Sequence, residues 1–192
     1  MPPKFMFTRE QIIAAALNTV RRAGFSGLTA RSLAAELGCS AKPIFGLFRN
    51  MEEVQREVLA AAEGLYQSHI ARAMAEGKYP PYKASGMAYI SFAREERELF
   101  RLLFMRDRSG ETIVEDRESI RPLLELLEKN LGISEDEANM LHLEMWLYVH
   151  GIATMLATAY LEWDEAFISG ALTDAYVGLT CRYREGKKHE GD

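Results

Sequence analysis

The sequence predicts an all-α protein, with an N-terminal three-helix unit that contains a helix-turn-helix and a longer helical region after it. Three observations predict this. Apolar residues recur at three- and four-residue spacing through most of the chain. Capping boxes, in which a small polar residue is followed three positions later by Glu or Gln, stand at Thr8 with Gln11, Asn50 with Glu53 and Ser134 with Glu137. No segment alternates apolar and polar residues as a half-buried strand does, and there is no internal repeat.

The first helix opens at the Thr8 box, carries Ile12, Ile13, Ala16, Leu17 and Val20 on one face, and ends at Gly24. Residues 29 to 54 then read as a helix-turn-helix. Thr29 is a suitable N-cap, Leu33 and Leu37 form an i, i+4 stripe, and Gly38 tolerates the left-handed conformation that stops a helix. Ser40 is placed to cap the second helix. Within Ala41 to Phe48, Ile44, Phe45 and Phe48 fall on one side and are expected to pack inward, while Lys42, Gly46 and Arg49 share the other. A basic, small-residue face of this kind suits the major groove of DNA, about 12 Å wide. A long helix follows from Met51 to about Ala75.

The order and identity of these residues carry a resemblance. The Ile12-Ile13-Ala14-Ala15-Ala16 opening, Gly24-Phe25, Leu28-Thr29, the run Leu33-Ala34-Ala35-Glu36-Leu37-Gly38, Ser40, Ile44-Phe45, Phe48, and Asn50 with Glu52-Glu53 are similar to the DNA-binding domain of the TetR-like (TetR/AcrR) transcription regulators. The resemblance covers residues 8 to 54, and beyond residue 80 it thins to helix order and one local pattern. It implies double-stranded operator DNA as a partner, with Thr29, Arg31, Ser40, Ala41, Lys42, Pro43, Gly46 and Arg49 as the contacting set and Lys4 and Arg9 as flanking contacts. Three positions depart from the family. Phe45 stands where tyrosine is usual, Leu47 where histidine or tyrosine is usual, and Met51 where lysine is usual, and each change removes a donor to phosphate.

Charge is segregated along the chain. Residues 1 to 50 hold seven Lys/Arg against two Asp/Glu, a net +5, and the other 142 residues hold 16 against 26, a net −10. This is the footprint of a small DNA-reading head on an acidic body, with the boundary expected between residues 1–50 and 51–192. At 48% apolar residues the chain can bury a substantial core. No signal peptide and no membrane-length apolar run is evident, and Cys39 and Cys181 have neither metal-ligand nor redox spacing, so a cytoplasmic protein is expected. Cys39 reads as a small buried apolar residue.

In the second part Pro80-Pro81 breaks the chain, a helix resumes over Lys83 to Glu98, and a short apolar helix covers Leu99 to Phe104. A charged loop spans residues 106 to 110. Ile113 to Leu131 carries Ile120, Leu123, Leu124, Leu127 and Leu131 on one stripe and stops at Gly132. The Ser134 box opens a helix that is expected to reach about Glu162, and a last helix is expected from Asp164 to Arg184, followed by a polar tail.

Trp146-Leu147-Tyr148-Val149-His150-Gly151 resembles the Trp-x-x-x-His-Gly pattern of one group of TetR-like C-terminal domains. Trp146 and His150 share a helix face, and Gly151 is expected to let a neighbouring backbone approach. A core tryptophan beside a hydrogen-bonded interface histidine is the alternative reading. The resemblance further implies a pocket for an unidentified small hydrophobic or aromatic effector, with Met87, Phe92, Leu103, Phe104, Met145, Trp146 and His150 as lining candidates. It also implies a homodimer built from the last two helices. Small-residue ridges at Gly151, Thr154 and Thr158, and at Phe167, Gly170, Ala171, Asp174 and Gly178, would allow close helix packing.

Catalytic motifs are not evident. His69, His142, His150 and His189 lack metal-ligand spacing, there is no glycine-rich phosphate loop, and neither cysteine lies in a nucleophile motif. The sequence therefore reads as a ligand-responsive transcriptional regulator, a repressor bound as a homodimer to a pseudo-palindromic operator, with no cofactor, no metal and no membrane partner. The competing class is an all-helical small-molecule-binding or interaction protein with a weakened DNA head.

Overall fold

The computed structural model describes residues 6–107, 109 and 113–189, and for 113–117, 119 and 184–189 the backbone alone. Among the described residues the chain forms nine α-helices and no strand. They are α1 (Arg9–Ala23), α2 (Ala30–Glu36), α3 (Lys42–Phe45), α4 (Met51–Glu76), α5 (Pro81–Glu95), α6 (Arg97–Phe104), α7 (Ile113–Leu131), α8 (Glu135–Ala157) and α9 (Glu165–His189), with a 3-10 turn at Phe25–Gly27. Two compact units result. One comprises the chain through Ser68 together with Glu95–Arg106, and the other comprises His69–Arg94 with the chain from Asp107 onward. The units are interleaved along the sequence, whereas the division into 1–50 and 51–192 is linear.

In the first unit the caps written in the sequence do the local work. The Gln11 N–H donates to Thr8 Oγ1 at 3.2 Å and the Thr8 N–H to Gln11 Oε1 at 2.9 Å, closing the capping box of α1. Thr29 caps α2, its Oγ1 accepting from the Ser32 N–H, and Gly38 follows at φ +64 with the Cys39 N–H returning to the Ala34 carbonyl at 3.0 Å. Asn50 Oδ1 accepts from the Glu53 N–H at 2.9 Å to open α4. Ile12, Ala16 and Val20 of α1, Leu33 of α2, Ile44 and Phe48 around α3, Val54 and Val58 of α4, and Leu99 and Phe100 of α6 are buried. α1 packs against both α2 and α6.

The second helix of the motif departs from expectation in two ways. Ser40 does not cap it: the N-cap position is Ala41, in αR conformation and without a side-chain hydrogen bond, and Pro43 occupies the first turn. The missing proline N–H is one a helix start does not need. Phe45, expected to pack inward, is 46% exposed, because Ile44 and Phe48 already fill the inner side at 0% and 2% exposure. The helical turn continues past Phe45, with the Gly46 N–H on the Lys42 carbonyl at 3.1 Å and the Phe48 N–H on the Ile44 carbonyl at 2.9 Å. Burying Phe48 contributes roughly 2–3 kcal/mol.

In the second unit, Leu124 and Leu127 of α7, Ile133, and Ala138, Leu141 and Met145 of α8 form a core, bordered by Tyr82 of α5 and by Tyr176 and Leu179 of α9. Gly132, at φ +63, turns the chain from α7 into the Ser134 capping box of α8. Helix α8 stops at Ala157 rather than near Glu162. Ala159 takes φ 55, and the Tyr160 N–H closes back on the Met155 carbonyl at 3.0 Å, a glycine-type helix stop made without glycine. Asp164 Oδ1 then accepts from the Phe167 N–H at 2.7 Å, and α9 continues to His189, beyond the expected end at Arg184. Residues 190–192 of the expected tail, and residues 108 and 110 of the charged loop, lie outside the described residues.

Candidate nucleic-acid interface and effector-side residues

The eight residues selected as DNA contacts all lie in the first unit. Thr29, Arg31, Ser40, Lys42, Gly46 and Arg49 are exposed, and Ala41 and Pro43 are half-buried. Helical spacing places Lys42 and Gly46 on one strip of the α3 turn with Phe45 beside it, whereas Arg49, expected on the same strip, lies beyond the helical turn. Among the described residues Arg31 and Lys42 have no ion-pair or hydrogen-bond partner, so both charges are available to a ligand.

Most other cations of the N-terminal segment are committed internally. Arg9, expected as a flanking contact, donates to the Leu47 carbonyl at 2.5 Å and to Glu53 Oε1 at 2.9 Å, bonds Glu57, and lies 4.2 Å from the Phe48 ring centre. It fastens the start of α1 to the end of the α3 turn and to α4. Arg21 forms a two-pronged pair with Glu96 at 2.8 and 2.9 Å, and Arg22 pairs with Glu36. Lys4, the other expected flanking contact, lies outside the described residues. The compact first unit therefore carries only about +2: eleven Lys/Arg against nine Asp/Glu, since α4 and α6 bring acids that residues 1–50 lack. Among the described residues of this unit the cations without a partner are Arg31 and Lys42 at the α2–α3 surface and Arg56 on α4.

Glu53 organises the rear of this surface. Its carboxylate accepts the Arg49 backbone N–H at 2.8 Å, Arg49 Nε at 3.2 Å and the Arg9 guanidinium, and these hydrogen bonds push its pKa down to about 2, the Arg49 backbone N–H contributing most. The hydrogen bonds of Arg9 to Glu53 first and to Glu57 second raise the Arg9 pKa. The capping box expected at Asn50 is thus half formed: the Asn50 side chain caps, and the Glu53 side chain bonds Arg49 instead of reciprocating. Cys39, expected to be buried, is half-exposed, and its thiol contacts the Ser40 carbonyl.

The residues selected for effector binding divide between the units. Met87, Phe92 and Met145 are buried in the second unit, where Trp146 and His150 are half-buried. Leu103 and Phe104 belong to the first unit, where Phe104 meets Tyr66 edge-on at 5.1 Å and Phe100 at 5.1 Å. Trp146 stacks on His150 with ring centres 4.8 Å apart and planes 17° apart, as their shared face requires. His150 Nδ1 is 2.8 Å from the Tyr89 hydroxyl, and one rung away His142 Nδ1 is 3.1 Å from the Tyr82 hydroxyl. Sequence reasoning did not find these two Tyr–His bridges between α5 and α8, because it had no register for the two helices. Burial lowers both histidine pKa values and pushes the Tyr82 hydroxyl above its ordinary range.

The ridges selected for dimerisation are open. Among the described residues a Cβ built at Gly151, Gly170 or Gly178 would meet nothing within 4 Å, so these glycines serve no close approach there, contrary to the expectation at Gly151. The close glycine of this unit is Gly86, whose Cβ would lie 3.4 Å from both Leu172 and Val149. Beside the open ridges, α8 exposes Met140, Leu143, Leu147, Tyr148 and Met155, and α9 exposes Phe167 and Val177. The sequence contains this stripe at helical spacing, yet α8 is apolar on two sides and periodicity alone does not say which side is inside.

Among the described residues no three His, Cys, Asp or Glu side chains converge as metal ligands, and no helix is long and apolar enough to cross a membrane.

Residues 82–175 match the family model described as the tetracyclin repressor-like C-terminal domain. No curated protein matches the chain. Among solved structures, a protein of unknown function from Rhodococcus sp. RHA1 superimposes with a TM-score of 0.71 at 22% identity, covering 96% of this chain and 98% of its own. A TetR-like transcriptional regulator from the same organism gives 0.63 at 17% identity, covering 97% and 100%. A TetR family protein from Vibrio parahaemolyticus, described as a candidate transcriptional regulator, gives 0.59 at 20% identity, covering 88% and 97%. At these identities the likeness is one of fold.

Proposed function

From the chain's membership of the TetR-like family, carried by its C-terminal domain at residues 82–175, we propose that it is a DNA-binding transcriptional regulator that represses as a homodimer on a pseudo-palindromic operator and is released by a small hydrophobic or aromatic effector. The observation that carries the DNA-binding part is the α2–α3 surface. Among the described residues Arg31 and Lys42 stand exposed and unpaired there, while Arg9, Arg21, Arg22 and Arg49 are held by acids. Cations without internal partners are the ones that can neutralise phosphates or donate to a guanine edge. One short reading helix specifies few base pairs, and a symmetric dimer doubles the site. The open glycine ridges and the exposed apolar stripe of α8 and α9 support that assembly.

Effector response requires one element shared by both functions. The helix α4 supplies it in covalent terms: it begins directly after the α3 turn and its last residues belong to the second unit. Operator and effector then compete through its position, and linkage makes the effect reciprocal.

The test is selection of duplexes from a random pool by the full-length protein, followed by titration of the enriched site with the native chain and with Lys42→Ala. Lys42→Ala should weaken binding by about 1–3 kcal/mol and relax the preference at one base pair. A folded protein that enriches no sequence would reject this reading and favour a helical binding protein with a weakened head.

A further inference from the structure

We propose that Phe45 reads sequence in the major groove by contacting the C5-methyl group of a thymine, an inference that rests on the DNA-binding reading above. The ring is 46% exposed on a unit whose core aromatics Phe48 and Phe100 are 2% and 0% exposed. Nothing inside the protein claims it. Among the described residues it stacks on no other ring and no cation lies over it. Lys42 precedes Phe45 by three residues in the same short helix, so the ring shares its face with an exposed cation that has no partner among the described residues.

The chemistry of the groove selects the partner. A phenyl ring has neither donor nor acceptor for a phosphate or a base edge. The apolar feature that a major groove presents is the thymine methyl, and it is absent from the minor groove. The exposed, unpaired Lys42 draws this surface toward a polyanion, which disfavours an apolar protein partner at the same place. Where the family usually has tyrosine, the loss of the hydroxyl thus exchanges a sequence-independent phosphate contact for a sequence-dependent apolar one.

The test substitutes deoxyuridine for each thymine of the enriched duplex, one position at a time, which removes the methyl and keeps every hydrogen-bonding group. Full-length native protein, Phe45→Ala and Phe45→Leu are titrated on each duplex, with far-UV circular dichroism as the fold control. For the native chain, one thymine in a half-site should show about a fourfold loss on substitution, which at RT ≈ 0.59 kcal/mol is ~0.8 kcal/mol, the value of one buried methyl. The loss should vanish in Phe45→Ala and persist in part in Phe45→Leu. If Phe45→Ala does not fold, the native and Phe45→Leu titrations decide. Enrichment of a site whose thymines tolerate deoxyuridine equally in all folded variants would overturn the methyl contact alone. Enrichment of no sequence would overturn it together with the DNA-binding reading.

Discussion

Gly178→Glu should separate the fold of this chain from its assembly, because the two respond with opposite sign. Gly178 lies inside α9, and a Cβ there meets nothing within 4 Å among the described residues of its own protomer. Within the protomer the substitution replaces the poorest non-proline helix former by a good one, a gain of roughly 0.5–1 kcal/mol. Across an interface made of the open ridges, it inserts bulk and an unpaired carboxylate between close-packed helices. An uncompensated buried charge costs about 3–5 kcal/mol, a rise of roughly 150- to 5,000-fold in dimer Kd, and a symmetric contact meets the substituted position from both sides. Sedimentation velocity across a micromolar dilution series, with circular dichroism at each concentration, measures both effects. The expected result is a helical monomer where the native chain is a dimer. An unchanged dimer would show that the open ridge of α9 lies outside the interface, whatever its sequence pattern.

Three further outcomes follow from the same geometry. Burial lowers the pKa of His142 below its unfolded value near 6.5, so the unfolded chain binds the extra proton: stability from this group is fully present above about pH 6.5 and is lost as pH falls toward the folded pKa. The unfolding free energy from urea titration should drop between pH 7.5 and 5, by no more than about 1.4 kcal/mol per pH unit from one histidine, and His142→Gln should flatten the profile; a profile unchanged by that substitution would reject the account. Leu47→His with Met51→Lys, both at half-buried positions beside the α3 turn, should tighten specific and random DNA together and steepen the salt dependence, and a salt slope identical to native would show that neither side chain reaches phosphate. Trp146→Ala removes the ring stacked on His150 and should abolish effector response before operator binding, read as effector affinity with and without operator; equal affinities for the native protein in both states would exclude the linkage.

Local signals were legible wherever one residue type has one physical use. Thr8, Thr29, Asn50 and Ser134 cap helices, Gly24, Gly38 and Gly132 take positive φ, and the apolar stripe of α1 is buried, all as their spacing requires, while of the α7 stripe Leu124 and Leu127 are buried and Ile120, Leu123 and Leu131 only partly so. The stop of α8 was illegible because alanine at position 159 carries no signal for the left-handed region. The failed cap at Ser40 has another cause: Ala41 and Pro43 start the helix one residue later than a cap at Ser40 demands. Phe45 shows the limit of binary patterning. Three apolar residues fell on one side of a short helix, but the space behind it accommodates two, and only packing decides which is left outside. The candidate DNA surface was legible as a set of positions. Its electrostatics were not, because the acids that neutralise Arg9 and Arg21 come from α4 and from the residue that precedes α6, 44 to 75 residues away in sequence.

The interleaved first unit has a consequence for how the protein is made. Its α1 packs against α6, and Leu99 and Phe100 are fully buried there, so the nascent head lacks part of its core until residue 106 has been synthesised, 38 residues after Ser68. At about 5–20 residues per second this leaves the inner side of α1 incompletely covered for roughly 2–8 s on the ribosome. A fragment ending at residue 50 would carry the whole helix-turn-helix and yet remain permanently in that state, with Ile12, Ala16 and Val20 lacking their full cover. The reading head of this chain is an N-terminal motif by sequence, but it matures late, after the helix that separates its two pieces has already been made.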